Sequence, residues 1–186
     1  MQGSQPEHAA SAIGTLQERI ARIELLLLDV DGVLTDGSIN YTDDGVELKR
    51  FHVRDGSALK LWGLAGKKSA IISGRSSKAV EVRAMELGIG PVFQGAADKR
   101  SAFARVLAET GVRAEQVCCI GDDVPDLPLL TRCGLAATVA DACPEVRAAA
   151  HYVARAAGGH GAVREVIELL LRCQGHWQRL VASLAA

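Results

Sequence analysis

No apolar run in this sequence approaches the roughly 20 residues that a membrane-spanning helix needs. Residues 1–10 are polar and contain no apolar stretch of the kind a secretory signal carries. Neither sign of charge is in excess, the formal net charge being −1 over 186 residues. A nucleic-acid footprint and an attraction to anionic lipid are therefore not implied. The five cysteines form no CxxC pair, and their odd number argues against a disulfide framework and against a zinc site. Cys118 and Cys119 are adjacent inside an apolar run and read as small buried core residues of a chain kept in the reducing cytoplasm. No Gly/Ser/Pro-rich linker and no internal repeat divides the chain. These exclusions leave a globular chain, 48% apolar and 23% charged, long enough to bury one sizeable core.

What is present alternates. Residues 1–10 read as a disordered tail. Ile13, Leu16, Ile20 and Ile23 then recur at helical spacing. Leu25–Leu28 suit a strand buried on both faces. From about 36 to 52 the period changes to two: Ile39 and Tyr41, a Thr42-Asp43-Asp44-Gly45 turn, then Val46, Leu48 and Arg50 alternating with Glu47, Lys49 and Phe51. That predicts a β-hairpin. After it, strands near 69–72, 92–93, 117–120, 135–139 and 152–153 alternate with helical patterns. Ser77 is placed to cap one of these helices, and Gly88 and Gly111 to close two of them. Val163, Val166, Ile167, Leu170 and Leu171 form one helical stripe near the end. The expected class is α/β, a doubly wound parallel sheet with a hairpin inserted after the first strand. One domain spans 11–175. The tail 176–186, with Trp177, Leu180, Val181 and Leu184 at helical spacing, is either a helix packed on its own subunit or a cover for a neighbour's site.

Open α/β sheets bind ligands at the carboxyl ends of their strands, and four of those ends here carry polar groups. Leu28 runs into Asp29-Val30-Asp31-Gly32, two carboxylates at a buried strand end that are costly unless something cationic binds there. Later ends offer Ser73-Gly74-Arg75 with a helix start behind them, Asp98-Lys99, and Gly121-Asp122-Asp123 with Asp126. Asp29 and Asp122 on neighbouring strands would suit Mg²⁺, which takes a few carboxylates plus water and phosphate oxygens. Lys99 supplies compact positive charge to a phosphoryl group, and Ser73 can donate to another of its oxygens. The series DVDGVLTDG, ISGR, a strand-end lysine and GDDVPD, in that order, resembles the haloacid dehalogenase-like superfamily. The resemblance implies that Asp29 is the nucleophile and Asp31 the general acid and base. It also implies that Mg²⁺ is held by Asp29, the Asp31 carbonyl and Asp122, while Ser73 and Lys99 steady the phosphoryl group. Asp123 and Asp126 either orient Lys99 and the metal waters or simply stand at a helix N-terminus.

Many members of that superfamily insert a cap domain. Here the intervals Asp29–Ser73 and Ser73–Lys99 are already filled, so no cap is expected and another chain would have to close the site. The segments GSINYTDDGVELKRFHVRDG and AGGHGAVREVIELLLRCQG resemble the 3-deoxy-D-manno-octulosonate 8-phosphate phosphatases over most of the chain. That resemblance implies a cap-less homotetramer joined through its hairpins and a sugar-acid phosphate substrate on the route to lipopolysaccharide. Arg54, Arg75 and Arg83 are the candidate readers of the substrate carboxylate, some reaching a neighbour's site; otherwise they are surface arginines. His160 stands where the family often has arginine, as a substrate contact or a turn residue, and His52 could face the same site. Two alternatives stay open: the same chemistry on a nonulosonate 9-phosphate, and a non-catalytic tetramerisation module.

Overall fold

The structure is a computed structural model and describes residues 15–185. The expected tail 1–10 and the apolar Ile13 lie outside the described residues. A six-stranded sheet, parallel at every pairing, is built from β1 (Leu25–Leu28), β4 (Lys68–Ile72), β5 (Val92–Phe93), β6 (Val117–Gly121), β7 (Leu135–Thr138) and β8 (Tyr152–Val153). Its order is β5-β4-β1-β6-β7-β8. The chain runs outward from β1 in one direction through β4 and β5, then returns and runs outward in the other through β6. The carboxyl ends of β1 and β6 therefore lie at a topological switch point, where open sheets form a crevice.

Helices α1 (Leu16–Ala21), α2 (Val53–Leu64), α3 (Lys78–Leu87), α4 (Lys99–Thr110), α5 (Leu127–Leu130), α6 (Pro144–Ala149), α7 (Ala162–Cys173) and α8 (Trp177–Ala185) flank the strands. All four leucines of β1 are buried, because β4 and β6 pair with it and helices cover both faces. Burying each leucine contributes about 1.5–3 kcal/mol. Helix α1 begins at Thr15, whose hydroxyl accepts from the Glu18 amide while the Glu18 carboxylate accepts from the Thr15 amide. Helices α3 and α4 end at Gly88 and Gly111 in left-handed conformations. Ser77 occupies the N-cap position of α3, but its side chain makes no capping bond. The Ser77 amide instead donates to Gln94 at 2.8 Å. Asp55, 1% exposed on α2, accepts from the Arg164 amide at 2.7 Å and so anchors the start of α7 on α2. Helix α8 buries Trp177 and Leu180.

The hairpin is shorter than its alternating pattern suggests. Its strands are β2 (Asn40–Tyr41) and β3 (Glu47–Leu48), with two residue pairs, Asn40 opposite Leu48 and Tyr41 opposite Glu47. Among the described residues no third strand extends the ladder, and an isolated ribbon is marginal. Ile39, Tyr41, Val46 and Leu48 remain more than half exposed on it. Among the described residues no helix is long and apolar enough to cross a membrane. The described cysteines are all free, with Cys118, Cys119 and Cys133 buried.

Candidate active site

The loop leaving β1 is held from three sides. The Asp29 amide donates to Ile120 of β6 at 3.0 Å, and the amides of Val33, Leu34 and Thr35 all converge on the Val30 carbonyl. Gly159 donates from behind to the Val33 carbonyl at 3.0 Å. Gly32, at φ +88°, makes the tight reversal that a side chain would block: a Cβ there would stand 2.0 Å from Asp122 Oδ2. Its neighbour Gly158 is equally confined, since a Cβ on it would lie 1.7 Å from the Gly32 carbonyl oxygen.

Asp29, Asp122 and Asp126 each offer a carboxylate oxygen within 4.8 Å of the others. Lys99, at the first turn of α4, donates to Asp29 Oδ1 at 2.8 Å and to Asp126 Oδ1 at 2.6 Å. The second Asp126 oxygen accepts from the amides of Asp122 (3.0 Å) and Asp123 (3.4 Å). Both Asp126 oxygens are thus occupied, and its work is to hold Lys99 and the loop after β6. Asp123 caps the short turn that follows, accepting from Val124 at 2.8 Å. Burial, then the Asp126 charge, pushes the Asp29 carboxyl up to about 7, against the opposing pull of Lys99. Burial, then the Asp29 charge, pushes Asp122 up to about 7 as well. Burial would lower Lys99, but the Asp29 and Asp126 charges outweigh it and hold the ammonium above its ordinary range.

Fully ionised, three carboxylates against one ammonium would leave two negative charges in surplus, and every donor is a hard oxygen. A divalent cation of the Mg²⁺ type fits this set, and Asp29 and Asp122 are the carboxylates that would hold it. The Asp31 carboxylate is outside the group, so any metal contact from that residue falls to its carbonyl oxygen. Ser73 is 3% exposed, and its hydroxyl accepts from the Arg75 amide at 3.2 Å, leaving the hydroxyl hydrogen available. Gly74 and Arg75 line the same cavity of about 310 Å³ as Asp29, Asp31, Ser73, Lys99 and Asp122.

The remaining expected contacts are elsewhere in the subunit. Arg54 and His160 share a separate cavity of about 480 Å³ with His52 and Arg164. His160 Nδ1 lies 2.7 Å from the Gly158 carbonyl, which ties one ring nitrogen to its own turn. Arg83 lies in a groove beside the hairpin, over the Phe51 ring and 3.2 Å from Glu86. Sequence reasoning missed Lys49 and Glu47, which come from β3 and its end to meet Asp31 and Arg75. The period-two pattern put Glu47 and Lys49 on one face and Leu48 on the other, and that was the signal available.

A family model described as haloacid dehalogenase-like hydrolase matches residues 67–167. The chain is 46% identical over 157 residues to the 3-deoxy-D-manno-octulosonate 8-phosphate phosphatase of Yersinia pestis, covering 84% of each. It is 47% identical over 153 residues to the enzyme of that name from Escherichia coli K12, covering 82% of this chain and 81% of the relative. The crystal structure of the Moraxella catarrhalis phosphatase of the same name, in complex with magnesium, phosphate and KDO, superposes with a TM-score of 0.88 at 39% identity. That match covers 90% of this chain and 97% of the other. Carboxylates, lysine and serine on the ends of these strands, a hairpin in place of a cap, and identity along most of the chain agree: the protein belongs to the haloacid dehalogenase-like hydrolases and, among them, to the 3-deoxy-D-manno-octulosonate 8-phosphate phosphatases.

Proposed function

We propose that this protein hydrolyses 3-deoxy-D-manno-octulosonate 8-phosphate to the free sugar acid and phosphate, in the cytoplasm, on the route to lipopolysaccharide. The observation that carries the chemistry is Lys99 bridging Asp29 and Asp126 with Asp122 alongside. Mg²⁺ held by Asp29 and Asp122 would offset the surplus negative charge and draw electron density from the phosphoryl oxygens. Lys99 keeps one Asp29 oxygen in place, and the carboxylate attacks phosphorus. The ester P–O bond breaks, Asp29 becomes an acyl phosphate, and the departing oxygen collects a proton that Asp31 has taken up from solvent before the step. A water, giving its proton back to Asp31, then attacks the same phosphorus and releases phosphate with Asp29 restored. The Ser73 hydroxyl, the Gly74 backbone and the Lys99 ammonium face the phosphoryl oxygens throughout.

The oligomer proposed is a tetramer joined through the hairpin, whose half-exposed Ile39, Tyr41, Val46 and Leu48 support it. Arg54, Arg83 and His160 would then read a carboxylate only across a subunit boundary, since none lines the cavity that holds Asp29. The test is kcat/KM for the eight-carbon ester beside that for a nonulosonate 9-phosphate, each with Mg²⁺ and with EDTA. Preference for the eight-carbon ester by tenfold or more, lost with EDTA, is expected. Preference for the nine-carbon ester would overturn the substrate assignment.

A further inference from the structure

Asp31, the residue to which proton transfer is assigned, is held by the hairpin. Lys49 extends from the end of β3 and is 2% exposed at its side chain. Its ammonium pairs with Asp31 Oδ1 and lies 3.4 Å from Glu47. Glu47 accepts from Arg75 Nη2 at 2.7 Å, and Arg75 also donates to the Tyr41 hydroxyl at 3.2 Å. Arg75 Nε stands 3.6 Å from Asp31 Oδ2, which closes a ring of two carboxylates and two cations. With Asp31 ionised this ring carries no net charge, and with the proton that Asp31 delivers in place it carries one positive charge, unlike the acidic Asp29–Asp122–Asp126 group. The two carboxylate systems are therefore separated: one lacks positive charge and the other already has it.

Within the ring the two Asp31 oxygens differ. Oδ1 is committed to Lys49, whereas Oδ2 stands 3.6 Å from Arg75 Nε, and Asp31 lines the cavity that also holds Asp29 and Ser73. A carboxylate on two rotatable bonds transfers a proton efficiently only when one oxygen is kept within about 2.6–3.2 Å of the reacting oxygen. We propose that Lys49 is a positioning residue for proton transfer, fixing Asp31 through Oδ1 so that Oδ2 meets the leaving oxygen and, later, the attacking water. Lys49 touches neither substrate nor phosphorus in this role. It ties the reaction to a ribbon whose own ladder has two residue pairs. The inference rests on the phosphatase reading of Asp31 above.

Leaving groups provide the test. An alkyl phosphate expels a strongly basic alkoxide and needs the proton from Asp31, whereas p-nitrophenyl phosphate expels a stable anion and needs it little. kcat/KM reports the steps through P–O cleavage and so isolates this difference from breakdown of the acyl phosphate. Lys49→Met and Lys49→Gln, each checked by thermal melting so that one folded variant suffices, are compared with wild type on both esters. A misplacement of about 1 Å lowers rate by about 100-fold, so the sugar ester should lose about 30- to 100-fold. The loss on the aryl ester should be smaller by at least about tenfold. Equal losses on the two esters, or no loss on either, in a folded variant would overturn the proposal. If wild type turned over the aryl ester but not the sugar ester, the substrate assignment would fail. The same ratio would then be read with any alkyl phosphate the wild type accepts.

Discussion

Replacing Gly32 with alanine should weaken Mg²⁺ binding more than it weakens the fold. The residue sits at φ +88°, where alanine introduces strain of roughly 1 kcal/mol. The added methyl would start 2.0 Å from Asp122 Oδ2. Relief to an ordinary contact of about 3.5 Å requires a relative shift of roughly 1.5 Å. Retreat of the loop is opposed by Gly158, packed against the Gly32 carbonyl, and by the bond from the Gly159 amide to the Val33 carbonyl. The Asp122 carboxylate must therefore swing, and one of two carboxylate ligands is displaced. Disturbing even a supporting residue of a metal site lowers affinity about 10- to 100-fold, so half-saturation by Mg²⁺ should rise at least that far. The assay is phosphate release titrated with Mg²⁺, with melting curves recorded with and without the ion. Gly66→Ala supplies the control: its φ is +80°, but nothing lies within 4 Å of the added carbon. That variant should melt lower with its Mg²⁺ response unchanged. A Gly32→Ala enzyme whose half-saturation stayed within twofold of wild type would refute the reasoning.

Two further outcomes follow from the same geometry. Asp29 and Asp122 sit near 7 in the folded protein against an ordinary 3.8, so between about pH 4 and 7 the native state binds more protons than the unfolded chain. Metal-free protein should therefore lose stability as pH rises through that window. The stabilisation by Mg²⁺, which displaces those protons, should grow over the same range. Melting temperatures at pH 5, 6, 7 and 8 with Mg²⁺ or EDTA check this, and a gap that narrowed with pH would contradict it. Separately, Leu48→Glu, placing charge on the exposed hairpin face, should lower the oligomeric state seen by sedimentation while leaving the circular dichroism spectrum intact.

The legible parts of this chain were those with local causes. Leu25–Leu28 announce a doubly covered strand, and the polar residues that follow it, with those after β4 and β6, mark the crevice. Gly88 and Gly111 close helices wherever they stand. Helix α6 escaped notice because it is short and buries one residue, Val146. The hairpin was visible as alternation, but its length depends on what pairs with its edges, which no local pattern encodes. In the site, Asp126 could be read as a helix-start carboxylate or as a support for Lys99. The choice depended on where α4 delivers Lys99, a fact of packing. Lys49 was written into the face opposite Leu48, yet nothing local says that this face turns toward Asp31. Arg54 and His160 carry suitable chemistry, but they occupy a cavity of their own.

The contact of Gly158 and Gly159 with the loop after β1 has a consequence for synthesis. The loop after β1 is locked by residues far downstream in sequence, with β4 and β6 arriving between them as the flanks of β1. Chain made as far as β6 would have its nucleophile but not the wall behind it. Such long-range closure slows folding relative to local contacts. A ribosome-bound chain stalled before residue 158 should therefore be inert toward phosphate esters, and activity should emerge only when Gly158 and Gly159 have left the exit tunnel.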